Sequence, residues 1–97
     1  MPTYIVLVSF TGQGITNVKD TLKRAEAAKA AAKKVGATMR EIYWTLGQYD
    51  AVATIDAPDD ETMTALGLNM GKAGHVRTQT LRAFSVADMK GILGKVA

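Results

Sequence analysis

Four polar residues of this chain are the candidates for chemistry: Tyr43, Asp50, His75 and Arg77. The carboxylate of Asp50 can accept a proton or a hydrogen bond, and His75, the only histidine, can act as a base or a ligand. Arginine guanidinium groups suit a carboxylate or a phosphate, and Arg24, Arg77 and Arg82 supply them. These residue types favour a site for a small anionic or hydroxylated molecule. Asp50 or His75 would be the base if there were turnover.

The same residues also have structural interpretations, which the sequence leaves open. A lone histidine at the start of a strand, such as His75, is often structural or simply exposed. Asp50 follows a glycine turn and is equally placed to cap a loop or a neighbouring amide, with Tyr49 completing the core. Arg77 is equally suited to an ion pair with Asp50 or with a second subunit.

Composition excludes several kinds of site. The chain has no cysteine, which excludes disulfides, thiolate nucleophiles and cysteine-bound zinc. One histidine builds a multi-histidine metal centre only where an oligomer axis supplies further copies, and no nucleophile elbow is present. Gly12-Gln13-Gly14 lacks the lysine and the glycine spacing of a phosphate loop. We therefore predict neither a metal nor a cofactor.

Length and charge limit the class of protein. The 97 residues suffice for one small domain, and the net charge of +3 favours solubility more than it indicates nucleic acid. An RNA-recognition module needs exposed aromatic residues in its third strand, and the run Tyr49–Ile55 lacks that array. The apolar run Tyr4–Phe10 lacks a basic region before it and is too short to span a bilayer. We predict a cytoplasmic protein that binds neither nucleic acid nor membrane.

The candidate residues are positioned by alternating strand-like and helix-like segments. Thr3–Phe10 is largely apolar on both of its alternating faces, which is typical of a strand covered on both sides. Asp20–Val35 predicts a helix with an alanine-rich stripe, which allows close packing on a sheet. Thr38–Leu46 and Tyr49–Ile55 predict two strands joined by a two-residue turn at Gly47-Gln48.

This turn sets the register of the hairpin and therefore decides which side chains share a face. It places Leu46 opposite Tyr49, Trp44 opposite Ala51 and Ile42 opposite Ala53, on the face that receives the helices. We accordingly predict Trp44 as a buried core residue packed over Ala51. The other face carries a half-polar row, consisting of Glu41, Tyr43, Thr45, Asp50, Val52 and Thr54.

The second half of the chain completes the fold. Pro58 and Asp59 begin a second helix, His75–Phe84 predicts a fourth strand, and Ser85 begins a short last helix with a capping box. The order β-α-β-β-α-β predicts an α+β protein of the ferredoxin-like type, with an antiparallel four-stranded sheet and its helices on one face. We assign residues 1–84 to this core and 85–97 to the extra helix of a single domain.

The predicted fold leaves the other face of the sheet bare, although the first strand is apolar on that side too. A second copy of the chain is the economical cover, so we predict a homodimer or a higher oligomer. If a small-molecule site exists, we expect it on this bare face, around Tyr43, Asp50 and Arg77. His75, at the start of the fourth strand, is a further candidate.

Motifs along nearly the whole chain carry a family resemblance: Tyr4–Phe10, Arg24-Ala25-Glu26-Ala27, Tyr43-Trp44-Thr45-Leu46-Gly47 with Tyr49-Asp50, Ala57-Pro58-Asp59-Asp60, and Thr80-Leu81-Arg82-Ala83-Phe84. In them the chain resembles the GYD-domain family, small bacterial and archaeal proteins named for a Gly-Tyr-Asp signature. The resemblance implies a dimeric α/β-barrel, in which two sheets pack face to face around a space. The chain departs from the family pattern at His75, where asparagine is more usual, and at Gln79, where glutamate is.

Three hypotheses of function follow. The first is a module that binds a small organic ligand or regulates a process without turnover. The second is a cofactor-independent enzyme acting on a small organic molecule between the sheets, which a buried cavity beside Asp50 would favour. The third is an assembly protein without a ligand, which a filled space between the sheets would favour.

Overall fold

The computed structural model describes residues 1–97 and is an α+β structure with one four-stranded antiparallel sheet. Its strands are Thr3–Phe10 (β1), Thr38–Trp44 (β2), Ala51–Asp56 (β3) and Val76–Ala83 (β4). Its helices are Gly12–Thr16 (α1), Thr21–Lys34 (α2), Asp60–Lys72 (α3) and Val86–Leu93 (α4), with a 3-10 turn at Val18–Asp20. This order is compatible with the predicted ferredoxin-like fold. None of the helices has the length and apolar character needed to cross a membrane.

The strands lie in the order β2-β3-β1-β4, so β1 is in the interior of the sheet, as predicted. All three neighbouring pairs are antiparallel. The predicted hairpin register is confirmed at two pairs, since Trp44 lies opposite Ala51 and Ile42 opposite Ala53. The register shifts between Met39 and Glu41, where β2 carries a bulge.

The end of the hairpin differs from the prediction. β2 ends at Trp44 and β3 begins at Ala51, and the last backbone bond between them runs from the amide of Thr45 to the carbonyl of Asp50, at 2.9 Å. No backbone bond joins Leu46 to Tyr49, so the predicted two-residue turn is wrong. The physical reason is that the hydroxyl of Thr45 donates to the carbonyl of Tyr49 at 2.6 Å, which closes a wider loop.

Both later helices begin at the predicted caps. The carboxylate of Asp59 accepts from the amide of Thr62 at 2.7 Å, and this bond lowers the pKa of Asp59. Ser85 and Asp88 form the predicted capping box, each side chain accepting from the other's amide at 3.0 Å. The bond from the Ser85 amide lowers the pKa of Asp88. These local contacts explain why α3 and α4 start where the sequence indicates.

The core lies between the sheet and the helices α2 and α3. It is built from alternate residues of β1 and β3 together with residues of the two helices, including Tyr4, Val6, Ala53, Ile55, Ala32, Met63 and Leu66. The hydroxyl of Tyr4 donates to the carboxylate of Asp60, and burial together with that bond raises the pKa of Tyr4. Helices α2 and α3 therefore cover one face of the sheet.

Trp44 lies on the predicted face but is not a core residue. It is 40% exposed, so the prediction of a buried tryptophan over Ala51 is wrong. Its indole Nε1 donates to the hydroxyl of Thr21, at the start of α2, over 3.0 Å. The residues of α2 that line the space beside the ring are alanines such as Ala25 and Ala28, which are too short to cover it.

The other face of the sheet, which we call the open face, receives neither α2 nor α3. Its middle is apolar, with Ile5 and Leu7 of β1 flanked by Val52 of β3 and Leu81 of β4. Helix α4 buries none of its own residues. The large apolar side chains at this end of the chain are exposed: Phe84, Val86, Met89, Leu93 and Val96.

Candidate functional site

Asp50 is bound to the backbone of β1. Its carboxylate accepts from the amide of Phe10 at 2.8 Å, and its own amide donates to the carbonyl of Val8 at 2.8 Å. These bonds extend the ladder between β1 and β3 by one step past the last pair, Val8 opposite Ala51. Asp50 thus has the structural role that the sequence also allowed: its side chain caps a neighbouring backbone amide.

Tyr49 reaches across the open face. Its hydroxyl lies 3.0 Å from Oε1 of Gln79, on the edge strand β4. Because Gln79 pairs with Leu7 in the middle of β1, the tyrosine crosses over that central strand. The alternative in which Tyr49 completes the helix-side core is therefore wrong, because its hydroxyl bonds to Gln79 of the open face and its side chain is only partly buried.

Tyr43 and Arg77 both lie on the open face, but on different edge strands. Tyr43 on β2 is 57% exposed, and its hydroxyl donates to the carboxylate of Glu41 at 2.7 Å, which raises the pKa of Tyr43. Arg77 on β4 lies opposite Ser9 and forms no hydrogen bond or ion pair within the chain. The strands β3 and β1 separate the two residues, and Arg77 does not pair with Asp50.

His75 lies just before β4 and borders the helix side of the sheet. Its carbonyl accepts from the amide of Thr11 at 3.1 Å. The backbone there passes so close to Gly14 that a Cβ on Gly14 would come within 2.0 Å of the His75 oxygen. The Nδ1 atom of the ring is buried and has no hydrogen-bond partner. The four predicted site residues are therefore not brought together, since His75 lines a cavity on the helix side of the sheet, whereas Tyr43 and Arg77 lie on the open face.

An apolar cavity lies elsewhere, between the sheet and the helices α2 and α3. This helix-side cavity has a volume of about 400 Å³, and 17 of its 21 lining residues are hydrophobic. The polar exceptions are Thr21, Arg24, Asn69 and His75. Its volume falls within the range of small-molecule sites.

We did not predict this cavity from the sequence, although the alanines that form its walls are visible there. Ala25, Ala28 and Ala31 of α2 face Ala51 and Ala53 of β3, so small side chains stand on both walls. An alanine stripe by itself indicates close packing of a helix on a sheet. Here the helix stands far enough from the sheet for the short side chains to leave a space.

The ionisable groups in these two places are few. No group of three or more histidine, cysteine or acidic residues is placed to hold a metal ion. The helix-side cavity contains one titratable base, His75, and no carboxylate. The only carboxylate among the predicted site residues, that of Asp50, is engaged by a backbone amide. A general acid and base facing one another are thus not found in either place.

The chain is similar to known proteins in sequence and in fold. The chain is 36% identical over 90 residues to a Thermus thermophilus protein described as a glutamine synthetase and cystathionine beta-lyase binding protein, covering 92% of this chain and 95% of that one. Its fold is similar to the crystal structure of TTHA0845, also from Thermus thermophilus, with a TM-score of 0.57 and 27% identity over 89% of this chain and 96% of the other. The GYD domain model matches residues 4–93. The predicted resemblance is confirmed, and the chain belongs to the GYD domain family.

Proposed function

We propose that this protein is a small binding module without turnover that acts through protein contacts made by its open face. The observation that carries the proposal is the apolar centre of that face, formed by Ile5, Leu7, Val52 and Leu81 without a covering helix. Apolar surface of this kind is stabilised by removal from water, and contiguous patches mark interaction sites.

The first partner in this proposal is a second copy of the chain. The open face has an acidic residue, Glu41, on its β2 edge and a basic one, Arg77, on its β4 edge. A two-fold axis parallel to the strands would place the β2 edge of one copy over the β4 edge of the other. Glu41 is level with Leu81 along the strands and Arg77 is level with Ser9, so these two charges stay apart. The apolar centres of the two copies face each other instead, and their burial favours the pairing.

The second partner is a metabolic enzyme. The Thermus thermophilus relative is described as binding glutamine synthetase and cystathionine beta-lyase. At 36% identity over most of both chains, a partner of the same kind is the nearest analogy for this protein. The exposed apolar side chains of α4, among them Val86 and Leu93, remain available for such a contact in our proposal.

Light scattering tests the self-association. We expect the wild type to have a mass of at least twice 10.3 kDa at low micromolar concentration. Leu81→Glu places a charge in the centre of the open face and should give a monomer. Leu22→Glu is the matched control, because Leu22 is exposed on α2, away from the open face. A wild type that runs as a single 10.3 kDa species would refute the self-association.

Binding of an enzyme partner is tested separately by biolayer interferometry with purified glutamine synthetase from the same organism. We expect saturable binding by the wild type and by Leu22→Glu. Absence of binding at concentrations where the oligomer is intact would refute the enzyme partner and leave the self-association standing.

The cofactor-independent enzyme is the second candidate function. The position of His75 in the lining of the apolar helix-side cavity is the observation in its favour. The three predicted residues outside that cavity, Tyr43, Asp50 and Arg77, would have no part in such a reaction. A ligand-dependent activity abolished by His75→Gln but unaffected by Asp50→Asn would support it.

A further inference from the structure

We propose that the helix-side cavity is a binding site for an apolar organic acid, with the acid group held at the end formed by Arg24 and His75. This site lies on the opposite side of the sheet from the open face, and its existence is independent of the function proposed above. It is supported by the apolar lining of the cavity, by the positive charge of Arg24 at one end, and by the imidazole of His75 at the same end, whose Nδ1 has no hydrogen-bond partner.

The walls of the cavity select an apolar molecule. Protein cores are packed to the density of organic crystals and leave few voids larger than a water molecule. The space of about 400 Å³ beside this core is partly open to solvent and lined almost entirely by aliphatic and aromatic side chains, and it is large enough for a small organic molecule. Such a lining offers water few hydrogen bonds, so an apolar molecule gains from entering it.

Arg24 gives one end of the cavity a positive charge and forms no salt bridge within the chain. Its Nη1 donates to the carbonyl of Asn17 at 3.0 Å and its Nη2 to that of Gly14 at 3.5 Å. A guanidinium has five N–H groups, so donors remain after these two bonds. The chain has one salt bridge, between Arg40 and Asp56, and none of the cavity residues is acidic.

His75 lies at the same end, because Gly14 touches both residues. The carbonyl of Gly14 accepts from Arg24, and the Gly14 Cα packs directly against the backbone of His75. The Nδ1 atom of the imidazole is buried without a hydrogen-bond partner. An unpaired lone pair at this atom costs less free energy than an unpaired N–H group would. The ring proton is accordingly assigned to Nε2, which then donates to a bound acid beside the guanidinium.

The chain carries a reporter for this site. Trp44 is the only tryptophan, it lines the cavity, and its indole is fixed by the bond to Thr21. A molecule that enters the cavity changes the surroundings of this ring. Binding is therefore measurable in the intact protein by tryptophan fluorescence, without a label.

The test compares two probes of equal chain length and opposite charge, decanoate and decylamine, titrated below their micelle-forming concentrations. We expect decanoate to change the Trp44 fluorescence saturably, and decylamine to bind at least about tenfold more weakly. Arg24→Gln should weaken decanoate about tenfold, as loss of a charge-assisted hydrogen bond does. Lys23→Gln is the matched control, because it removes an equal charge from the exposed neighbouring position on α2.

A second pair of variants tests the location. Ala28→Leu fills the cavity and should abolish decanoate binding, whereas Ala30→Leu adds the same volume on the exposed side of α2 and should not. Isothermal calorimetry checks binding independently of Trp44. Equal binding of both probes, or decanoate affinity unchanged in Arg24→Gln, would overturn the proposal. Should Ala28→Leu fail to fold, Arg24→Gln decides the matter alone, since Arg24 lies at the cavity end and not in the packed core.

Discussion

The hydroxyl of Tyr49 lies 3.0 Å from Oε1 of Gln79, so the loop between β2 and β3 is tied to the far edge strand β4. The contact passes over β1, whose end is bonded to the same loop through Asp50 and Phe10. Two adjacent residues of the loop thus hold two different strands. Tyr49 and Asp50 therefore have a structural role. They fix the shape of the open face, which both the self-association and the enzyme contact would use.

Tyr49→Phe is expected to lower the free energy of unfolding by about 0.5–1.5 kcal/mol, the typical net contribution of a neutral hydrogen bond. Urea denaturation at fixed protein concentration measures it. Tyr43→Phe is the control, since the hydroxyl of Tyr43 bonds only to Glu41 on its own strand. If a double-mutant cycle with Gln79→Ala shows no coupling, the contact does not exist in solution.

Asp50→Ala is expected to cost about 1.5–3 kcal/mol of stability, because a charged acceptor is removed from the partly buried amide of Phe10. Asp50→Asn keeps an oxygen at that place and should cost less. Arg77→Gln provides the comparison and should change the stability of the subunit by less than about 0.5 kcal/mol, since Arg77 has no partner within the chain. Equal effects of Asp50→Ala and Arg77→Gln would contradict the assigned role.

Gly14→Ala is expected to destabilise the protein by about 1–3 kcal/mol, as overpacking does, because the new methyl group would meet the backbone oxygen of His75 at 2.0 Å. Gly12→Ala in the same helix is the matched control, with nothing within 4 Å of its Cβ position. Thermal unfolding of the two variants side by side makes the comparison. A neutral Gly14→Ala would show that α1 and the start of β4 are not in contact.

The pKa of Tyr4 is raised by burial and by the bond to Asp60, so stability should depend on pH in the alkaline range. Below about pH 10 the phenol is protonated in both the folded and the unfolded chain. Above it the unfolded chain loses the proton first, so stability falls until the pH passes the folded pKa. Tyr4→Phe should lose part of its stability at neutral pH and then show a shallower decline above about pH 10. A decline as steep as in wild type would refute this, with Tyr49→Phe as control.

Part of this organisation is predictable from sequence, and part is not. The alternation in β1 and in the two hairpin strands depends on neighbouring residues, so the faces and the pairing of Trp44 with Ala51 follow from local pattern, although the predicted two-residue turn is wrong. The bond from the Phe10 amide to the Asp50 carboxylate joins residues 40 positions apart. It depends on where the strands β1, β2 and β3 end relative to one another, which local sequence does not specify. The cavity depends on the distance between α2 and the sheet, which an alanine stripe does not specify, and for the same reason the predicted burial of Trp44 is wrong.

Because β1 is in the interior of the sheet, one strand borders both proposed sites. Val6 and Val8 line the helix-side cavity, while Leu7 between them lies on the open face. A displacement of this backbone moves both surfaces together. Thermodynamic linkage makes this coupling reciprocal. If a ligand in the cavity changes the association constant of the protein by some factor, association changes the affinity of the cavity for that ligand by the same factor.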